Sequence, residues 1–98
     1  MSKIKSYKNV RQFSTEAMGL DDYESWLITF KNKLVKLIVE TRKKSNLSQV
    51  ELAKILGTTQ SVVSRIESGN SKNVTIDYLL KVISELGISP NKMIKWAA

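Results

Sequence analysis

Residues 47–69 read LSQVELAKILGTTQSVVSRIESG, and the order of residue types in this stretch decides the fold. Ser48 and Glu51 stand at capping-box spacing, so their side chains can satisfy free N–H groups at a helix start. Val50, Leu52, Ala53, Ile55 and Leu56 then supply the apolar side of a short helix, which Gly57 can end in the left-handed conformation. Thr59 caps a second helix, in which Val62, Val63 and Ile66 lie at core spacing before Gly69 closes it. Helices this short are unstable alone, so their apolar faces must meet neighbouring elements. Two of them joined by Gly57-Thr58-Thr59 predict a helix-turn-helix, whose second helix suits the major groove of DNA.

Upstream, Asp21 or Asp22 is expected to cap a helix, Asp21 and Glu24 having capping-box spacing. Tyr23, Trp26, Leu27, Phe30, Leu34, Leu37, Ile38 and Thr41 form its apolar stripe, which runs to Lys44. At 1.5 Å per residue this helix is roughly 30 Å long or more, longer than a small bundle needs. Its first half is therefore expected to pack the N-terminal arm or another subunit. In that arm Lys3, Lys5, Lys8 and Arg11 are basic, Ile4, Tyr7, Val10 and Phe13 recur every three residues, and Gly19 interrupts. A short amphipathic helix and a tail that folds on a partner both fit this pattern.

Downstream, a polar loop spans residues 70–74. Thr75 is expected to cap a fourth helix carrying Ile76, Leu79, Leu80, Val82, Ile83 and Leu86, closed by Gly87. Ser89-Pro90 starts a last short helix with Met93, Ile94 and Trp96, although residues 92–96 also fit a short strand in a dimer. The expected fold class is all-α. It consists of a compact five-helix, repressor-like helix-turn-helix domain with an N-terminal extension and a lengthened first helix. The extension covers residues 1–21 and the DNA-binding domain residues 22–98, with the helix-turn-helix at 48–68.

The sequence has 98 residues, neither cysteine nor histidine, and a net charge of +7. Disulfides and the usual nitrogen and sulfur metal ligands are thereby excluded, and the carboxylates lack calcium-loop spacing. General acid–base chemistry has no obvious group, and there is no phosphate-cradling glycine loop. No enzyme activity and no cofactor are expected. Neither a secretory signal nor a membrane span is legible, so a cytoplasmic protein without a membrane partner is expected. The positive charge favours polyanions without choosing among them.

The helix-turn-helix supplies that choice. Gln60, Ser61, Ser64 and Arg65 can share one exposed face of the second helix, opposite Val63 and Ile66. Gln can bond adenine through two hydrogen bonds, Arg can do the same to guanine, and Ser serves several base edges. Gln49, the free N–H groups behind Ser48, and Thr59 can hold phosphates, Thr59 alternatively only capping its helix. Lys43 and Lys44 before the motif, and Asn70, Ser71, Lys72 and Asn73 after it, flank the recognition helix as further backbone contacts. Tyr7, Phe13, Tyr23, Trp26 and Phe30 can anchor a protein interface, although intramolecular core is the commoner fate of such residues. Met93, Ile94 and Trp96 raise the same question for a dimer contact.

With Gln49, Glu51-Leu52-Ala53, Gly57 and Ser64-Arg65-Ile66-Glu67-x-Gly69 in register, the stretch closely resembles the phage-repressor/Cro-type (XRE) helix-turn-helix family. The resemblance extends over residues 34–86. It implies a phosphate contact at Gln49, base reading by Gln60, Ser61 and Arg65, and an ion pair between Arg42 and Glu67. The turn at residues 57–61, the stretch at residues 73–77 and the preceding helix at residues 23–30 look most like HigA-type antitoxins. That resemblance implies a homodimer that represses its own operon by binding a double-stranded DNA operator and neutralises a small HigB/RelE-like ribonuclease toxin. A stand-alone phage or mobile-element regulator without a toxin is the alternative, and a protein-interaction module with an acidic partner is a third reading.

Overall fold

Four short helices begin where a hydroxyl side chain takes up a free N–H of the first turn. The computed structural model describes residues 19–69 and 73–97, and among these it contains five helices and no strand. They are α1 (Gly19–Lys44), α2 (Gln49–Leu56), α3 (Gln60–Glu67), α4 (Ile76–Glu85) and α5 (Pro90–Ala97). Ser48 and Glu51 form a reciprocal capping box at the start of α2. The hydroxyls of Thr59, Thr75 and Ser89 accept from the backbone N–H groups of Val62, Tyr78 and Lys92. The chain divides into two units, Met1–Phe30 and Lys31–Ala98.

In the first unit the described residues belong to the N-terminal part of α1. Gly19 is the first described residue of this helix, and Asp21 and Asp22 follow it within the helix instead of capping it. Acidic residues near a helix N-terminus are favoured by the helix dipole whether or not they cap it. The rings of Tyr23 and Trp26 stack at 6.2 Å, and those of Trp26 and Phe30 at 5.7 Å.

In the second unit Leu34 and Ile38 of α1, Leu52 of α2, Val63 of α3 and Leu79 and Val82 of α4 form a core that solvent barely reaches. Helix α2 packs against both α3 and α4. Val50 and Ile55, expected on the buried side of α2, are exposed, as is Leu80 of α4. At 3.6 residues per turn each points about 110° away from the centre of its helix's buried face, so apolar composition exceeds what one face can bury. Residues 92–96 lie in α5, which removes the strand alternative.

Two left-handed residues make the corners that orient the motif. At the end of α1, Asn46 adopts φ 56°. Its N–H bonds the Lys43 carbonyl at 3.0 Å, and the Leu47 N–H bonds that of Arg42 at 3.1 Å, a Schellman ending. At the end of α2, Gly57 adopts φ 68°, and the Thr58 N–H reaches the Ala53 carbonyl at 2.9 Å. A Cβ at Gly57 would meet no atom within 4 Å, so the only penalty for a side chain there is conformational. Gly57→Ala is expected to cost roughly 1–2 kcal/mol in urea unfolding, and Gly57→Asn less, because Asn tolerates the left-handed region. Equal stability of the Ala variant would contradict this account of the turn.

Candidate nucleic-acid interface

Helix α3 separates its two faces cleanly. Val63 and Ile66 are buried, while Gln60, Ser61, Ser64 and Arg65 are exposed together on the opposite side. The separation follows from their spacing: the four polar residues span about 140° of the helix surface. Hydroxyl, carboxamide and guanidinium groups on one exposed face form a set that can address base edges.

A chain of polar contacts ties both ends of α3 to the rest of the domain. Arg42 of α1 donates from Nε to Glu67 Oε2 at 2.6 Å and from Nη2 to Glu67 Oε1 at 2.8 Å. The remaining guanidinium nitrogen, Nη1, donates to the Leu47 carbonyl at 2.8 Å. Gln49, at the start of α2, donates from Nε2 to Glu67 Oε1 at 3.0 Å. Its own Oε1 accepts from Gln60 Nε2 at 3.3 Å. The relay therefore runs from α1, through the last turn of α3 and the first of α2, to the first turn of α3.

The side chains of Arg42 and Glu67 are only 11% and 7% exposed. Burial pushes the Glu67 carboxyl up, but hydrogen bonds from Arg42 and Gln49 and the charges of Arg42 and Lys43 outweigh it, holding the group below its ordinary value. The hydrogen bond to Glu67 raises Arg42 above its already high value. At the head of α2, hydrogen bonds from the backbone and hydroxyl of Ser48 lower Glu51. The carboxylates nearest the polar face are thus ionised and already engaged by donors.

Beside this relay an open furrow of about 330 Å³ is lined by Lys43, Gln49, Ser64 and Ser68, with Arg42 and Glu67 in its wall. A second furrow, of about 520 Å³, shares Val39, Glu67 and Ser68 with it and adds Asn32, Val35, Lys36 and Gly69. The rims present ammonium, amide and hydroxyl donors, which suit an anionic backbone. Thr59 uses its oxygen as the cap acceptor and keeps its hydroxyl hydrogen. Lys44, in the last turn of α1, is exposed outside the furrows. Asn70 and Lys72, like Tyr7 and Phe13, lie outside the described residues. Tyr23, Trp26 and Phe30 are brought together as one stack.

Two features of the site escaped sequence reasoning. The bond between Gln49 and Gln60 joins residues that only the turn brings together, and Asn46 carries no capping signal beyond being an asparagine after a helix. Among the described residues no group of three or more acidic side chains could hold a metal ion. No described helix is long and apolar enough to cross a membrane.

A helix-turn-helix family model matches residues 38–93, an interval that contains every member of the polar relay. No curated protein and no solved structure gives a significant match.

The relay makes stability depend on pH in a defined direction. A carboxyl lowered on folding contributes stability that is complete above its unfolded value, near 4.5, and lost as pH falls through the lower folded value. Glu67→Gln should cost about 3 kcal/mol near neutrality, because it strips a nearly buried guanidinium of its counter-charge. The gap between wild type and variant in urea unfolding should hold constant down to about pH 5 and then close as Glu67 protonates. A gap that does not change with pH would refute the assignment.

Proposed function

We propose that this chain, which belongs to the helix-turn-helix family, is a sequence-specific repressor of the phage-repressor/Cro type that binds a double-stranded DNA operator as a homodimer. The observation that carries this reading is the exposed set Gln60, Ser61, Ser64 and Arg65, held on a helix whose two ends are both tied by the polar relay. The Gln60 amide keeps one Nε2 hydrogen and its Oε1 acceptor, the two groups an adenine edge requires. Arg65 is assigned to guanine, and Ser61 and Ser64 to adjoining edges. Gln49, Thr59, Lys43 and Lys44 hold phosphates, joined by Asn70 and Lys72. The net charge of +7 supports such a partner, and neither cofactor nor catalysis is required.

The finer role we propose is that of an antitoxin in a type II toxin–antitoxin pair, repressing its own operon and neutralising a HigB/RelE-like ribonuclease. The HigA-type resemblance supports it. Co-purification with the product of the adjacent gene, followed by a gel shift of the complex on its own promoter, tests partner and operator together. Failure to capture or inhibit a ribonuclease would return the chain to the class of stand-alone regulators.

Binding measurements on operator variants separate the assigned roles. Gln60→Ala and Arg65→Ala should each relax discrimination at one base position by roughly 1–3 kcal/mol. Lys43→Ala should weaken binding evenly across sequences and lower the salt dependence by about one counterion. Unchanged base preference in both of the first two variants would show that the reading face lies elsewhere.

A further inference from the structure

We infer that the aromatic face of α1 is a self-complementary interface, covered by the same face of a second copy running antiparallel. The inference rests on the homodimeric part of the proposed function and assigns its surface. Tyr23 is 42% and Trp26 51% exposed, and their rings form one stack with the half-buried Phe30. Contiguous apolar surface of this kind marks an interaction site more often than a solvated face.

The charges flanking the stripe say what covers it. At 3.6 residues per turn, Asp22 and Lys33 fall on one flank of the stripe formed by Tyr23, Trp26, Leu27 and Phe30, and Glu24 and Lys31 on the other. Within one helix these acids and bases are too far apart to be the three- or four-residue neighbours that pair. In an antiparallel pair, like flanks meet. A twofold axis between Leu27 and Ile28 sets Asp22 opposite Lys33 of the second copy and Glu24 opposite its Lys31. Symmetry makes each pair occur twice. A uniformly basic partner is repelled at one end of the stripe and a uniformly acidic one at the other. A partner with the reverse order of charges fits both ends, and a second α1 has that order.

Sedimentation equilibrium of the full chain tests this, with circular dichroism reporting that each variant stays helical. The wild type should dimerise, and Lys31→Glu with Lys33→Glu should raise the dimer dissociation constant by about tenfold or more. Adding Asp22→Lys and Glu24→Lys should restore the dimer by exchanging the two signs. The chain contains no cysteine, so Leu27→Cys, near the axis, should oxidise to a cross-linked dimer while Tyr23→Cys does not. A dimer indifferent to the double reversal, or not rescued by the quadruple exchange, would overturn this interface and leave the homodimer standing. A folded wild type that remains monomeric at its highest soluble concentration would overturn both. Operator binding by gel shift is judged separately in each case.

Discussion

Eight residues make too short a helix to hold its own direction, and α3 owes its direction to the bidentate pair between Arg42 and Glu67. Withdrawing two charges from water is costly, so such a pair adds less net stability than its attraction suggests. What it adds is geometry. A planar guanidinium meets a carboxylate edge in one orientation, and here its third nitrogen also engages the Leu47 carbonyl. The last turn of α3 is thus referred to α1 and to the linker before α2 at the same time. Lysine at position 42 could supply the charge but not the three-way fork.

The corners of the backbone serve the same constraint. Asn46 turns the chain out of α1 so that the Leu47 carbonyl comes back within reach of Arg42. Gly57 turns it again so that Gln60 begins a helix beside Gln49. Between these corners the capping box fixes the first residues of α2, and Gln49 is among them. Apolar burial of Leu52, Val63 and Leu79 supplies cohesion, whereas the polar relay selects one arrangement among those that cohesion would allow. In a domain this small the core is limited, so that selection matters more.

What the sequence disclosed follows how local each signal is. The starts of α2 to α5 are legible because a cap oxygen and the N–H that donates to it lie within three residues, as in Ser48 with Glu51 or Thr75 with Tyr78. Asp21 and Asp22 lie within α1 and do not cap it; an aspartate gives the same local signal at a cap and within the helix that follows. Val50 and Ile55 fall outside the buried face expected of them because composition reports that a residue is apolar, while a short helix has room for only one buried face. Arg42 and Glu67 are twenty-five positions apart, and only the family resemblance suggested their pairing. The Gln49–Gln60 bond had no local signature, since it depends on where a turn delivers two side chains. The exposed polar face of α3 was legible because it is simply the complement of Val63 and Ile66.

The relay also limits how freely its members can be used. Gln49 spends one amide hydrogen on Glu67 and its oxygen on Gln60, which leaves one side-chain hydrogen and its backbone N–H for an anion. Gln60 spends one hydrogen and keeps a donor and an acceptor side by side. The hydrogen bond to Gln49 favours one orientation of the Gln60 amide, and so one arrangement of its donor and acceptor, before DNA arrives. Pre-ordering lowers the entropy lost on binding and penalises edges of the wrong polarity. The same bond carries any displacement of Gln60 to Gln49, and from there to Glu67 and Arg42. Under the proposed function, base reading by α3 and phosphate holding at the start of α2 are therefore coupled through one carboxamide.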